Sequence, residues 1–374
     1  MKKEKALAVM TTVFIFIGFV GCRDSQTVNS AVSKPMSAVS TNSTKENSIA
    51  NSQPAKAAQN GYISFAMTSY DDPDNKDGSM TIHVFCYDFT AQKATEVTKV
   101  PYTSQYPLAV YSKEDNCVYY SAQSTDKGNR GDQLFSYNLS TKKTVEYTHD
   151  LSAINDIIPY KDTIYLSAMK SKTHNVAPIL ISKTSKIETA VHTGFEDPHV
   201  EKIAYDPYAH KVYAACQSDN AEWILMDKFN MSAEETKKKN NYMYEHSNTH
   251  ISAVDLDRSL SSQIFALKKD LIYRMAAHGN QIYYVSGKDD MESAASETIR
   301  QYNIQTKQTT TPIRIGKKGD TADTICYSQD GSKAYFLRQD PRDLVEYDMK
   351  TKEIKELFSC DPNQSYINNF MLFA

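Results

Sequence analysis

From Gly61 onward, apolar positions come in runs of four to eight residues rich in Tyr, Ile, Val and Phe, separated by Asp, Asn, Gly, Lys and Ser-Thr turns. That rhythm predicts short β-strands, and no stretch sustains the 3.6-residue period of a long helix. One pattern recurs. An aromatic strand reads Tyr62-Ile63-Ser64-Phe65, then Val118-Tyr119-Tyr120-Ser121, Ile164-Tyr165-Leu166-Ser167, Val212-Tyr213-Ala214-Ala215, Ile282-Tyr283-Tyr284-Val285 and Ala334-Tyr335-Phe336-Leu337. A second strand then ends in an aromatic residue and a turn former, as in Tyr87-Asp88, Tyr137-Asn138, Tyr302-Asn303 and Tyr347-Asp348. Asp and Asn suit these turns because their side chains bond nearby backbone amides.

Divergent copies of the turn are expected at Lys183-Thr184-Ser185-Lys186 and Lys228-Phe229-Asn230-Met231. The steps from turn to turn are then 50, 46, 45 and 45 residues, with a gap of 74 between 228 and 302. A degenerate unit assigned to that gap, with strands at Ile251-Ser252-Ala253-Val254 and Gln263-Ile264-Phe265-Ala266-Leu267, makes seven units. Repeats of about 40 to 50 residues with four strands each indicate a β-propeller. The expected fold is therefore all-β: a single propeller of seven four-stranded blades over residues 61–374, with six as the alternative. The first unit lacks an inner strand, while Asn369-Phe370-Met371-Leu372-Phe373 has no unit of its own. The tail is expected beside residues 62–66, closing the ring and hiding exposed sheet edges.

Before Gly61 the pattern is different. Lys2, Lys3 and Lys5 precede an apolar run from Ala6 to Gly21, which ends in Phe19-Val20-Gly21-Cys22. Sixteen residues are short for a hydrocarbon core that needs about 20, so a removable signal segment over 1–21 is expected. The exit resembles a bacterial lipobox. That resemblance implies lipidation of Cys22, attachment to the bilayer and a location on the outer face of the cell membrane. Residues 23–60 contain eight Ser, three Thr and five Asn and no aromatic residue. Such a stretch buries too little to offset the entropy of ordering, and residues 22–60 are expected to act as a disordered spacer spanning about 35 Å as a coil.

Without residues 1–21 the chain has 39 basic and 44 acidic residues, a net charge of −5. This gives no electrostatic footprint for nucleic acid. The other cysteines, 86, 117, 216, 326 and 360, are odd in number and lack a CxxC spacing. They are expected as small buried hydrophobes, with one disulfide as the alternative.

The connections between second and third strands are long and varied, so the ligand-binding face is expected there. Trp223, Asp197, His199 and Glu201 are its candidate residues. Asp72, Asp74 and Asp77 around Gly78 resemble a calcium loop, but Lys76 displaces an oxygen ligand and no Glu follows at the twelfth position. A solvated loop is therefore expected, with calcium as the alternative and no other cofactor. Arg130-Gly131-Asp132 resembles an integrin-binding signal, a triplet common by chance. His246 and His250 lack the Glu of an HExxH site, and no nucleophile elbow, P-loop or dinucleotide fingerprint occurs.

The phrase from Val118-Tyr119-Tyr120-Ser121 through Leu134-Phe135-Ser136-Tyr137-Asn138-Leu139 resembles blades of bacterial surface propellers of the TolB-like, YVTN-like and LDL-receptor-like groups. These often occur as lipoproteins of Gram-positive bacteria. The resemblance implies architecture and a role in recognition or scaffolding. The expected function is a tethered extracellular module binding a protein, peptide or glycan. The alternative is a carboxylate-dependent glycosidase, lyase or hydrolase with a site at the channel mouth, built from Asp156, Asp197, His199, Glu201 or Asp323.

Overall fold

The computed structural model describes residues 61–72, 78–124, 131–231, 246–287, 299–313, 324–338 and 342–374. Cys22, the 1–21 and 22–60 segments, Asp74, Asp77, Arg130 and Asp323 lie outside them. Blade 1 begins with β1 (Tyr62–Tyr70), β2 (Met80–Asp88) and β3 (Lys93–Pro101). Blade 2 holds β4 (Ala109–Ser112), β5 (Cys117–Gln123), β6 (Asp132–Asn138) and β7 (Thr144–Glu146). Blade 3 holds β8 (Leu151–Tyr160), β9 (Thr163–Lys170), β10 (Val176–Ser182) and β11 (Glu188–Ala190). Blade 4 holds β12 (Pro198–Asp206), β13 (Lys211–Ser218), a helix α1 (Asp219–Met231), β14 (Thr249–Asp255) and β15 (Leu260–Leu267). Blade 5 holds β16 (Leu271–His278), β17 (Gln281–Gly287), β18 (Ile299–Asn303) and β19 (Gln308–Ile313). Blade 6 holds β20 (Ile325–Tyr327), β21 (Lys333–Leu337), β22 (Leu344–Asp348) and β23 (Ile354–Phe358), and β24 (Ser365–Phe373) returns to blade 1.

The propeller has six blades, which corrects the expected seven. The segments read as a separate degenerate unit, 251–254 and 263–267, belong to β14 and β15, the outer half of blade 4. The sequence between β13 and β14 is lengthened by α1, and Lys228 lies on that helix and not in a hairpin turn. The turn of blade 4 is at Asp255, whose Oδ1 accepts the Arg258 N–H at 3.0 Å.

The outer hairpins share one geometry. Asp88, Asn138, Asn303 and Asp348 each accept, through one side-chain oxygen, the N–H groups two and three residues later. The fourth residue after each, Gln92, Lys142, Lys307 or Lys352, takes a left-handed backbone with φ between 50° and 65°. The side-chain oxygen compensates locally for a conformation that L-residues otherwise avoid. In blade 3 the task is divided: Ser182 Oγ accepts the Ser185 N–H at 3.2 Å, Asp162 Oδ1 accepts the Thr184 N–H at 3.1 Å, and Lys186 takes the left-handed backbone with φ 58°.

The tail residues pair antiparallel with β1, Tyr62 opposite Phe373 and Ala66 opposite Asn369, so β24 is the innermost strand of blade 1. The ring is not closed by strand hydrogen bonds, as the tail was expected to do: no ladder of the named strands passes from one blade to the next. Side chains join the end blades: Phe358 of β23 packs on Phe65 and Phe85, with ring centroids 4.8 and 5.0 Å apart. Gly61, Phe373 and the outer hairpins lie on one face, and the long second-to-third connections on the other.

Four innermost strands carry a β-bulge at the same level. The extra residues are Asn368, Asn155, Glu201 and Tyr273, each between the partners of the fourth and fifth residues counted from Ile63, Ile164, Val212 and Ile282. The next residues, Asn369, Asp156, Lys202 and Arg274, are all polar. A bulge re-aims side chains where a regular ladder would alternate them, here around the propeller axis.

Candidate functional site

The predicted residues Asp197, His199 and Glu201 gather with α1 at the long-loop end of blade 4. The helix starts at Ser218, whose Oγ accepts the Ala221 N–H at 3.2 Å, as an N-cap should. Asp197 reinforces this start: its Oδ2 accepts the Ser218 hydroxyl at 2.8 Å and the Asn220 N–H at 2.7 Å. A carboxylate at a helix N-terminus is favoured by the backbone dipoles. Asp197 thus positions α1, and its oxygen is occupied in doing so.

His199 Nδ1 lies 3.2 Å from Asp219 Oδ1 in the first turn of α1. Burial pulls the imidazolium down, but the bond to Asp219 and the charges of Glu201, Asp219 and Glu222 outweigh it, so the pKa is raised. Glu201, the bulged residue of β12, is pushed up chiefly by burial, which the charges of His199 and Lys202 offset only in part. Glu222, also on α1, accepts the Ser247 N–H at 2.6 Å, and its other oxygen is 3.5 Å from Nδ1 of the buried His246. Burial would raise the Glu222 carboxyl, but the His246 and Ser247 contacts hold it below its ordinary value.

Asp219, Glu222 and His246 were not anticipated as site residues. The signal was present in Ser218-Asp219-Asn220-Ala221-Glu222, an N-cap followed by acidic residues in the first turn, which marks a helix start. Trp223, the remaining candidate, lies on α1. It is 45 % exposed, beside the still more exposed Ile224, and its ring centroid is 6.3 Å from that of His174 with the planes steeply inclined. Leu225 and Met226 are partly buried, so α1 turns Trp223 and Ile224 outward. Tyr106 and Tyr366 are also exposed on this face. Four of the six exposed large apolar side chains among the described residues are therefore on the long-loop side.

Asp156, one position past the bulge of β8, has its carboxyl pushed up to about 6 by burial, tempered by the Ser167 hydroxyl and the Lys202 charge. Asp132 is buried and accepts the Thr103 hydroxyl at 2.6 Å, so it is not displayed as an integrin-type ligand would be. Asp72 is exposed, and among the described residues no three His, Cys, Asp or Glu side chains gather as metal ligands. Cys86, Cys117, Cys216, Cys326 and Cys360 are free thiols, so the disulfide alternative is not formed. A cavity of about 410 Å³ opens between blades 4 and 5 near the outer hairpins, away from this cluster. Its Arg258 is already bound to Asp255 at 2.6 Å.

No protein-family model matches the chain, and no curated protein sequence matches it. Among solved structures, TolB from Acinetobacter baumannii is similar over 84 % of this chain and 67 % of its own, with 10 % identity and a TM-score of 0.51. A nidogen/laminin complex is similar over 84 % of this chain and 98 % of its own, with 11 % identity and a TM-score of 0.49. At such identity the likeness to TolB speaks for the fold alone, and that fold is a single β-propeller of four-stranded blades.

Proposed function

We propose that this chain is an extracellular, membrane-tethered binding module that recognises a protein or peptide through its long-loop face. The observation that carries the reading is α1, a helix fastened by Asp197, His199 and Glu222 that holds Trp223 and Ile224 out to solvent. Exposed aromatic anchors on a rigid support are what an interface uses for affinity, because little ordering entropy remains to be lost on binding. The tether in this proposal is the lipidated Cys22, with residues 23–60 as its spacer.

The test places a photo-crosslinking residue at Trp223, at Ile224 and at Lys142 on the opposite face, in the full chain expressed at a Gram-positive cell surface. Adducts formed from the two helix positions but not from Lys142 support the reading. Equal adducts from both faces, or none from α1, oppose it. Metabolic labelling with an alkynyl fatty acid, lost in Cys22→Ala, tests the anchor separately.

A second reading is acid–base chemistry at the same place. It is favoured by the opposite displacement of two carboxyls, Glu201 upward and Glu222 downward, the arrangement by which sites divide the roles of acid and base. Hydrolysis of a glycan panel that disappears in Glu201→Gln would support it. No turnover of any member by the folded chain would remove it.

A further inference from the structure

Ser69 of β1, His83 of β2 and Glu96 of β3 stand in line across blade 1. Ser69 Oγ is 2.8 Å from His83 Nε2, and His83 Nδ1 is 3.1 Å from Glu96 Oε2. The register explains the line. Met67 pairs with His83, Ser69 with Thr81, and Phe85 with both Phe65 and Glu96, so all three side chains project from one face of the sheet. Phe85 also stacks against the imidazole, its ring plane within 16° of the His83 ring, which steadies the orientation.

The order of contacts matters more than their number. A carboxylate at Nδ1 favours the tautomer with the proton on Nδ1, leaving the Nε2 lone pair toward the Ser69 hydroxyl. This is the nucleophile, base and orienting-acid sequence that activates a serine, and it is recognised by geometry and not by fold or position in the chain. The His83 side chain is 15 % exposed and Ser69 is half-buried, so the hydroxyl is neither sealed in the core nor loose in solvent.

We propose that Ser69 is an activated nucleophile with His83 as its base, taking small activated esters as substrates, and that Glu96 is a positioning residue acting through His83. Ser69 Oγ bonds to the ester carbonyl carbon while its proton passes to His83 Nε2. The carbon–alkoxide bond then breaks and the alkoxide takes that proton, leaving acyl-Ser69. Water, deprotonated by His83, adds to the acyl carbon, and Ser69 leaves with the proton. The site lies in blade 1, apart from the α1 cluster, and does not rest on the recognition reading.

The full chain is treated with a fluorophosphonate probe and the adduct located by peptide mass mapping, with p-nitrophenyl acetate hydrolysis followed in parallel. The expected result is one adduct on Ser69 and none in Ser69→Ala. His83→Gln should label at least about 100-fold more slowly with an unchanged thermal midpoint. Labelling should slow in Glu96→Ala and recover in Glu96→Asp, a rescue that a purely structural contact would not produce. Absence of an adduct on Ser69 in the folded chain, or labelling of folded His83→Gln at the parent rate, overturns the proposal. Should His83→Gln not fold, the Glu96→Ala and Glu96→Asp rates decide it.

Discussion

Asn369 of β24 meets both backbone groups of Ala109 in the next blade: its Oδ1 accepts the Ala109 N–H at 3.3 Å and its Nδ2 donates to the Ala109 carbonyl at 3.2 Å. An amide side chain thus substitutes for a strand at the junction of blades 1 and 2, where Ala109 is fully buried. Asn369→Ala would strand a buried donor and a buried acceptor, costing about 2 kcal/mol. Equilibrium urea unfolding should show a lower midpoint with an unchanged slope, and an unchanged midpoint would mean that water replaces the amide.

At the next junction the demand is for absence of bulk. A Cβ added at Gly131 would fall 2.2 Å from the Leu151 carbonyl oxygen and 2.5 Å from Ser152 Cα, both backbone atoms of blade 3. Gly131→Ala should therefore destabilise by about 2 to 3 kcal/mol. Gly279→Ala, where nothing lies within 4 Å, is the spatial control, although its φ of +57° adds its own backbone strain. Differential scanning calorimetry of the two variants separates clash from strain, and an equal fall in both would contradict the packing argument.

The cluster under α1 should make stability fall as pH rises above 4.5, through Glu201, and above 6.5, through His199. The folded pKa of His199 is raised above its ordinary 6.5, so its contribution is complete below 6.5 and is lost as pH rises through the folded value. Glu201 is raised above 4.5 and acts with the same sign. Glu222 is lowered, so its contribution is present above 4.5 and lost only as pH falls through its folded value. In urea unfolding His199→Gln should flatten the decline that sets in above pH 6.5 and Glu201→Gln the decline that sets in above pH 4.5, and a profile unchanged in both variants would refute this assignment.

Trp223 is the sole tryptophan, so its fluorescence reports on α1. Ser218→Ala removes the N-cap and should weaken the helix by about 1 kcal/mol. Trp223 emission should then shift to the red at a lower denaturant concentration than the far-ultraviolet strand signal. Coincident transitions would show that α1 and the blades unfold as one unit.

Much of the architecture could be read from the chain because the repeat is written in backbone requirements. Tyr213, Tyr165 and Tyr335 recur where blades pack together, and Asp88, Asn138, Asn303 and Asp348 recur where a hairpin needs a side-chain acceptor. The blade count failed at one place. Between Ser218 and Thr249 a helix interrupts blade 4, and its apolar residues Trp223, Ile224, Leu225 and Met226, taken in isolation, resemble a strand. Of the site, Asp197, His199 and Glu201 were legible as polar residues opening an inner strand. Asp219 and Glu222 carried only the signature of a helix start, and His246 is brought to Glu222 by the fold across 24 residues of sequence. The Ser69, His83 and Glu96 line was equally hidden, since strand register alone aligns positions 14 and 13 residues apart.

Gly61 and Phe373 leave the propeller side by side on the hairpin face, with the Gly61 Cβ position 2.2 Å from the Phe373 oxygen. A bead, a fluorescent protein or a cantilever joined directly before Gly61 or after Ala374 will therefore hang from the same pole of the propeller. Whichever end is used, the opposite pole, with Trp223 and Ile224, stays clear for whatever arrives from solution.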